Sequence, residues 1–354
     1  MSSVKKSKKK QNKLPKIALE EAFIWPTYKS DVDETFPNEF TKNYEKLLDI
    51  KNIRVKEMEK NNIKIMVLSS TTSGIQCLNF GIDQVKKAQE INNYIYSQIE
   101  GNNNFKAFAA LPMRNPKKAS QELERCVTKL GMVGALVNGY DIENLGNGKQ
   151  KIYFYDTPEY DVLWKKFEEL DVPLYLHPAV YHSIDESDPH MFDDLFKKYE
   201  ILSASAWGFS FNLSYHVMRI VLSGVLDRFP KLKIILGHMG ECIVFFADRF
   251  DHRVSIYKSE TKNSSNTIKL PKLSLKQYIK KNFYVTTSGW FDDDTLDFIV
   301  KKAGINRVMF SIDYPYENAK LASKWLDNLK IPKINKEKIA WKNAKKILKL
   351  KNNY

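Results

Sequence analysis

Acidic and imidazole side chains end four short apolar runs that are widely separated in the sequence. Glu20 follows the first run, His177 and His238 follow two later runs, and Asp313 follows the last. Glu20, His177 and Asp313 together supply two carboxylates and one imidazole, which suit a divalent cation and leave coordination positions open for substrate or water. The pattern predicts a catalytic metal site rather than a structural one.

Further residues near these four complete the predicted site. Glu241 follows His238 by three positions, and a carboxylate beside an imidazole can hold the ring in one orientation and one tautomer. We therefore assign acid/base work to His238, supported by Glu241. The planar guanidinium of Arg249 could neutralise a substrate carboxylate. Phe23 and Tyr316 adjoin ligand positions and are candidates for lining the substrate pocket.

Each of these residues could also serve an ordinary structural purpose. Either histidine alone could be a hydrogen-bonded core residue, and either metal-site carboxylate alone could belong to a strand end or a turn. Glu241 could be a first-turn helix acid, which the helix dipole favours, and Arg249 could be an exposed helix residue. The two aromatic side chains could serve packing alone. The coincidence of four such residues at the ends of apolar runs favours the functional interpretation.

Apolar, β-branched runs alternate with amphipathic stretches from residue 16 onward, which is typical of βα units. The predicted strands are 17–20, 63–69, 105–111, 133–138, 172–177, 233–238, 283–288 and 307–313, and clear helices are predicted at 83–100, 116–130, 158–170 and 213–226. Several strands are apolar without alternation, as parallel strands covered on both faces are. Residues 16–354 are therefore predicted to form one (β/α)8 barrel, which carries its catalytic groups at the carboxyl ends of its strands.

The formal net charge of +14 is concentrated at the amino terminus, because residues 1–16 contain seven lysines and no acid. Residues 1–15 are predicted to be a disordered basic tail. The alternatives for such a run are a nuclear localisation signal and a contact with an anionic surface. The remaining lysines mix with acids along helical patterns, so no nucleic-acid partner is expected.

Cysteine usage and hydropathy indicate the cellular compartment of the protein. Cys77, Cys126 and Cys242 are odd in number and lack CxxC spacing, which favours neither a disulfide framework nor a thiolate zinc site. No stretch approaches the roughly 18 apolar residues of a membrane span, and no secretory signal pattern is present. We expect a cytoplasmic protein without a membrane partner.

The longest connection without clear periodicity covers residues 179–210 and is rich in acids. In a barrel it would lie over the active face as a lid or pack outside as an interface loop.

Six short segments together resemble one enzyme family. They are KIALEE at 16–21, GALVNG at 134–139, LHP at 176–178, GHMGE at 237–241, TTSG at 286–289 and FSIDYP at 310–315. In these segments the chain resembles the decarboxylases of the amidohydrolase superfamily, specifically the branch of 2,3-dihydroxybenzoate and γ-resorcylate decarboxylases, over residues 16–350.

The resemblance implies one divalent metal ion, with zinc first and manganese or magnesium as alternatives, held by Glu20, His177 and Asp313. It also implies a catalytic His238 supported by Glu241, and a substrate contact from Arg249. The partner would be a small aromatic carboxylate, and the assembly a homodimer or homotetramer. Hydrolases of the superfamily begin with His-x-His on the first strand, where this chain has Glu20 and Ala22, and this departure argues against hydrolysis.

The sequence predicts a metal-dependent, non-oxidative decarboxylase of a hydroxylated benzoate that releases carbon dioxide. An aminocarboxymuconate-semialdehyde-type decarboxylase and a metal-dependent hydrolase of the same superfamily are the alternatives. A binding protein that uses its lysine tail is a third possibility for the same chain.

Overall fold

The computed structural model describes residues 13–32, 38–145, 150–179, 198–202, 204–262 and 270–351. Residues 1–12 of the predicted tail and residues 180–197 and 203 of the predicted lid lie outside the described residues.

Eight parallel strands and one antiparallel hairpin make up the sheets of the described part of the chain. The parallel strands are β1 (Lys16–Phe23), β2 (Ile63–Ser70), β3 (Phe105–Ala107), β4 (Ala135–Asn138), β7 (Leu174–His177), β8 (Ile234–Leu236), β9 (Phe283–Thr286) and β10 (Val308–Met309), and the hairpin is β5 (Asp141–Asn144) with β6 (Gln150–Tyr153). Hydrogen-bonded ladders give the orders β1-β2-β3 and β10-β9-β8-β7-β4.

Two isolated bridges join these sheets into a closed barrel. Ala109 pairs with Ala135 between the segments of β3 and β4, and Glu21 pairs with Tyr314 between those of β1 and β10. The Ala22 N–H donates to the Tyr314 carbonyl at 2.7 Å across the second junction. The predicted (β/α)8 barrel is therefore confirmed. The hairpin β5–β6 was not predicted, because its charged residues carry no apolar alternation.

Helices follow the barrel strands and cover their outer faces. They are Tyr28–Asp31, Asn38–Leu48, Ile53–Asn61, Gln84–Ile99, Pro116–Lys129, Asp161–Leu170, Gly208–Leu222, Val225–Arg228, Ile243–Glu260, Leu275–Lys281, Asp293–Ala303, Ala319–Asn328, Lys333–Glu337 and Asn343–Ile347, with a π-helical turn at Lys338–Lys342. Side chains cap several of them, since Asp83 accepts from the N–H groups of Val85 and Lys86, and Asn115 accepts from that of Lys118. Three of the four predicted helices lie within three residues of their observed bounds. The fourth, predicted at 213–226, is observed at Gly208–Leu222 and so begins and ends earlier.

Side chains of the barrel strands fill its interior and explain their uniform hydrophobicity. One buried cluster includes Ile17, Leu19, Ile65, Val67, Phe108, Tyr175, Ile235 and Met309. A larger cluster packs the outer faces of the strands against the helices. Both faces of each strand are thus buried, as the lack of alternation indicates.

A β-bulge in β1 decides which of its side chains reach the interior. The register pairs Ala18 with Met66 and Glu21 with Leu68, so β1 has one residue more than β2 in this interval. Before the bulge, Leu19 belongs to the interior cluster, and after it Glu20 and Ala22 line the cavity of the barrel.

Lys16, the last lysine of the basic run, begins β1 instead of extending the tail. Its side chain is fully buried, and its Nζ lies 2.9 Å from Asp327 Oδ1. Leu14, inside the predicted tail, packs partly buried against the core. Leu14, although inside the predicted tail, thus belongs to the packed part of the described chain.

No helix among the described residues is both long and apolar enough to cross a bilayer.

A buried histidine predicts acid sensitivity of the fold. His216 is fully buried on the helix Gly208–Leu222, and burial, together with Arg219, lowers its pKa to about 3. The unfolded chain protonates this residue near pH 6.5. Its contribution to the free energy of unfolding is therefore present above about pH 6.5 and is lost as the pH falls towards 3.

Urea unfolding at about pH 7 and pH 4.5 measures this effect. At about 1.4 kcal/mol per pH unit, His216 makes the wild-type fold lose about 3 kcal/mol over this interval, a loss that His216→Leu removes. His252→Gln, at an exposed histidine, is the matched control and should lose as much as the wild type. Equal acid losses in all three proteins would contradict the assignment.

Candidate functional site

The carboxyl ends of β1, β7, β8 and β10 bring the four predicted residues together. His177 Nε2 lies 3.1 Å from Glu20 Oε1, and His238 Nε2 lies 3.9 Å from the same oxygen. His238 Nε2 also lies 3.4 Å from Asp313 Oδ2. Residues separated by nearly three hundred positions thus share one site.

Glu20 and His177 have the properties of metal ligands. His177 Nδ1 lies 2.8 Å from the Pro178 carbonyl oxygen, which can only accept, so the ring donates from Nδ1 and presents an unprotonated Nε2 to Glu20. Glu20 Oε1 is buried and has no hydrogen-bond partner among the described residues. The lone pairs of the two atoms face each other, so a proton or a cation belongs between them. The residues therefore fit a divalent ion.

The structure groups a third donor with these two. The candidate ligand atoms of Glu20, His177 and His238 all lie within 4.8 Å of one another. Asp313, the predicted third ligand, lies beside this group through its contact with His238. Glu20 and His177 therefore belong both to the predicted ligand set, whose third member is Asp313, and to this group, whose third member is His238.

The second oxygen of Glu20 is held by the barrel interior. The hydroxyl of Tyr175 donates to Oε2, and Thr286 Oγ1 lies 3.4 Å from it. A Cβ on Gly237 would come within 2.8 Å of Oε2, so this strand end needs a glycine. Burial acts to raise the pKa of Glu20, but nearby groups, the His238 imidazole first among them, outweigh it and lower the pKa to about 2. Glu20 is thus an anion whose position is fixed.

His238 is placed between two acids. Its Nδ1 lies 2.7 Å from Glu241 Oε1, and the Ser210 hydroxyl donates to Glu241 Oε2. Burial opposes a charge on the ring, but Glu20 and Glu241 raise the pKa of His238 well above its usual value. Burial also raises the pKa of Asp313, although the hydrogen bond to His238 opposes the rise. The pair can therefore exchange a proton.

Strained backbone coincides with these side chains. His238, Met239, Glu241 and Asp313 have φ angles of 46°, 55°, 52° and 77°. Such left-handed conformations cost on the order of 1–3 kcal/mol each in residues other than glycine, and they persist only where the surroundings impose them. Contacts within the site therefore impose the backbone conformation of the turns after β8 and β10, against the intrinsic preference of these residues.

The site lies at the base of a cavity of about 690 Å³. Aromatic and aliphatic side chains on its wall include Trp207, Phe209, Trp290, Tyr316 and Leu136, and polar groups include Ser69, Ser70, Thr71, Thr72 and Asn138. This combination suits a flat ring with a few polar substituents.

Comparison with known proteins identifies the family of this chain. A family model described as amidohydrolase matches residues 61–350. The chain belongs to the amidohydrolase family. γ-Resorcylate decarboxylase of Polaromonas sp. JS666 is 36% identical over 337 residues, covering 95% of this chain and 98% of the relative.

Solved structures place the chain in the decarboxylase branch of the family. A crystal structure of 2,6-dihydroxybenzoate decarboxylase complexed with 2,6-dihydroxybenzoate matches with a TM-score of 0.82 and 33% identity, over 95% of this chain and 99% of that one. Dihydroxybenzoic acid decarboxylase of Polaromonas sp. JS666, with bound manganese and the inhibitor 2-nitroresorcinol, matches with a TM-score of 0.82 and 34% identity, over 96% and 98% of the two chains. The predicted family is confirmed.

Two of the three predicted pocket residues of this amidohydrolase-family protein lie away from the cavity of the described chain. Tyr316 lines the cavity, and its hydroxyl lies 2.6 Å from Thr71 Oγ1. Phe23 alternates with the inward-facing Ala22, so its ring packs outside the barrel, 6.5 Å from that of Tyr94. Arg249 is exposed on the helix Ile243–Glu260, because Ile243, Val244 and Ala247 take its buried face. The structure therefore corrects the pocket assignment of Phe23, whereas the substrate contact of Arg249 stays a prediction.

Two buried polar residues of the site were not predicted as functional. Tyr175 lies two residues before His177, and this spacing puts both side chains on one face of a strand. Asn138 ends β4, lines the cavity, and has no partner for its amide atoms among the described residues. The strand-end rule applied to all eight strands would have found Asn138.

The geometry predicts that His177→Gln weakens Mn²⁺ binding by about 100-fold or more, because one donor of the cation is lost. Isothermal titration of metal-free protein measures the affinity. His252→Gln, at the exposed histidine used above, should bind Mn²⁺ as the wild type does. Equal affinity of His177→Gln and the wild type would remove His177 from the metal site.

Proposed function

We propose that this protein decarboxylates a benzoate with a hydroxyl group next to its carboxylate, and that 2,6-dihydroxybenzoate is the first candidate substrate. The predicted class, a metal-dependent carboxy-lyase acting on a hydroxylated aromatic acid, is confirmed by relatives at 36% identity over nearly the whole chain. The observation that carries the proposal is the His238–Asp313 pair beside the Glu20–His177 donor pair in a cavity with aromatic walls.

Glu20, His177 and Asp313 are the proposed metal ligands, with His238 left to transfer protons. Two carboxylates and a dication sum to zero charge, so an anionic substrate meets no net negative site. We propose manganese in place of the predicted zinc, which the comparisons do not confirm, since manganese is bound in the related dihydroxybenzoic acid decarboxylase. The bound cation would attract the carboxylate of the substrate and the oxygen of the neighbouring hydroxyl group, and so orient the ring.

Breaking the bond between the ring and its carboxyl group requires a proton at the same ring carbon. Without it, the departing carbon dioxide would leave an aryl carbanion. One proton is consumed for each carbon dioxide released, and Asp313 is the proposed donor. Burial raises its pKa, whereas a bound cation would lower it, so we propose that Asp313 would be held loosely at the metal and would receive its proton from His238.

His238 returns to Asp313 the proton that Asp313 has delivered to the ring. It also accepts and gives back the proton of the phenolic hydroxyl of the substrate. The distance of 3.4 Å between His238 Nε2 and Asp313 Oδ2 allows direct transfer after a small adjustment. Glu241 Oε1 lies 2.7 Å from the other ring nitrogen, and we propose that it orients His238 while the charge of the ring changes.

Compartment and assembly remain proposals. We propose a cytoplasmic location, supported by three free cysteines, of which Cys77 and Cys126 are buried. We propose a homodimer or homotetramer, supported by the exposed aromatic residues Phe245 and Phe246 on the helix that follows the catalytic turn. Mass photometry at nanomolar and micromolar concentrations tests the assembly.

The proton-transfer roles predict loss of turnover in two variants. Asp313→Asn and His238→Gln should each lower kcat by about 100-fold or more, since each removes a group that transfers a proton. Carbon dioxide release from a panel of hydroxybenzoates by the Mn²⁺ form is the measurement. Asp248→Asn, at an exposed acid on the helix Ile243–Glu260, is the control and should keep wild-type kcat. No release from any benzoate by the wild type would overturn the proposed function.

The choice of third ligand predicts different metal affinities for the same variants. Asp313→Asn should weaken Mn²⁺ binding by about tenfold or more, whereas His238→Gln should change it little. The opposite order would assign His238 to the metal, in agreement with its place in the group of three donors. Turnover by Zn²⁺-loaded protein above that of the Mn²⁺ form would restore zinc as the metal.

A further inference from the structure

Glu21 is a fully buried carboxylate next to the metal ligand Glu20, but it does not line the cavity. The bulge in β1 directs Glu20 inward and leaves Glu21 facing the segment after β10. There, Glu21 Oε1 accepts from Ser311 Oγ at 3.0 Å and from the Ile312 N–H at 3.1 Å, and Oε2 accepts from the Tyr314 N–H at 3.2 Å. All three donors belong to the segment that carries Asp313.

These contacts bracket a strained residue. Asp313 has a φ of 77°, and the two amides bound by Glu21 belong to the residues on either side of it. A left-handed aspartate needs outside interactions to hold it. The two oxygens of Glu21 fix the peptide groups around Asp313, and with them the direction in which its side chain leaves the backbone.

The same carboxylate is connected to Glu20 through Ser311. The Ser311 hydroxyl oxygen accepts from the N–H groups of Leu19 at 3.1 Å and Glu20 at 2.7 Å, and its proton is donated to Glu21. One hydrogen-bonded chain therefore links the backbone of the metal ligand to the backbone of the proton donor.

A buried carboxylate at this place is costly unless its oxygens are needed. The side chain of Glu21 is fully buried, and its oxygens accept from Ser311, Ile312 and Tyr314. Arg54, also fully buried, adds a nearby positive charge, with its guanidinium 4.7 Å from the centre of the Tyr314 ring. An apolar residue would fill the space without this cost.

We propose that Glu21 is a positioning residue for the decarboxylation, and that it holds Asp313 in reach of His238 and substrate through the amides of Ile312 and Tyr314. This inference rests on the proposed function, in which Asp313 delivers the proton.

Glu21→Gln tests the inference because it replaces one acceptor oxygen by an NH₂ group that cannot accept from the Tyr314 N–H. We expect kcat for the best hydroxybenzoate to fall by about tenfold to hundredfold, with KM and the Mn²⁺ affinity little changed. The crystal structure of the variant should show Asp313 displaced from its left-handed backbone conformation. Glu122→Gln is the matched control, since Glu122 is also buried and accepts from Asn92 at 2.7 Å on a helix away from the cavity.

Wild-type kcat in Glu21→Gln would overturn the inference. A fall in kcat with Asp313 in place, or an equal fall in Glu122→Gln, would also overturn it by showing a general effect on the fold. If the wild type turns over no hydroxybenzoate, the proposed function fails, and the position of Asp313 in the crystal structure then decides the role of Glu21 on its own.

Ser311→Ala serves if Glu21→Gln does not fold. It removes the hydroxyl that fixes Glu21 Oε1 but keeps both amide contacts, so a smaller fall in kcat is expected. Unchanged kcat in Ser311→Ala would then count against the inference.

Discussion

Strand β1 meets the segment after β10 at its bulge, where the N–H groups of Leu19 and Glu20 have no acceptor in a neighbouring strand. The hydroxyl oxygen of Ser311 accepts from both. The same junction closes the barrel through the bridge between Glu21 and Tyr314. Closure and catalysis therefore depend on one set of contacts. Without the extra residue in β1, Glu20 would face the helices instead of the cavity, because side chains alternate along a strand.

Electrostatics explains why so many charged groups are tolerated at one end of the barrel. Glu20, Asp313 and Glu241 surround two imidazoles, and burial penalises the charged forms of Glu20, Asp313 and His238. A divalent cation between Glu20 and His177 would offset the repulsion among the carboxylates. In the proposed ligand set this cation balances the charge of the carboxylates, and the His238–Glu241 pair is left for proton transfer.

Sequence reasoning grouped the four candidate residues that the structure brings together, but it found only part of their surroundings. Glu20, His177, His238 and Asp313 were recognised because acids and imidazoles seldom gather at the ends of several apolar strands unless they serve a catalytic site. Tyr175 was missed because a tyrosine within an apolar strand has no chemical signature of its own, and Asn138 was missed because the strand-end rule was applied only to acids and imidazoles. Phe23 was assigned to the pocket because adjacency in sequence was taken for adjacency in space, which the pleat of a strand contradicts.

The sequence by itself determined the barrel, its strand order along the chain and the kinds of ligand at four strand ends, because apolar periodicity and residue chemistry are local properties. Only the tertiary structure decided the bulge that turns Glu20 inward, the contact between His238 and Asp313, and the hydrogen bonds of Glu21 to the segment that carries Asp313. These features depend on the register between strands separated by nearly three hundred residues. Register is set by the packing of the whole barrel, and no local pattern in β1 or β10 encodes it.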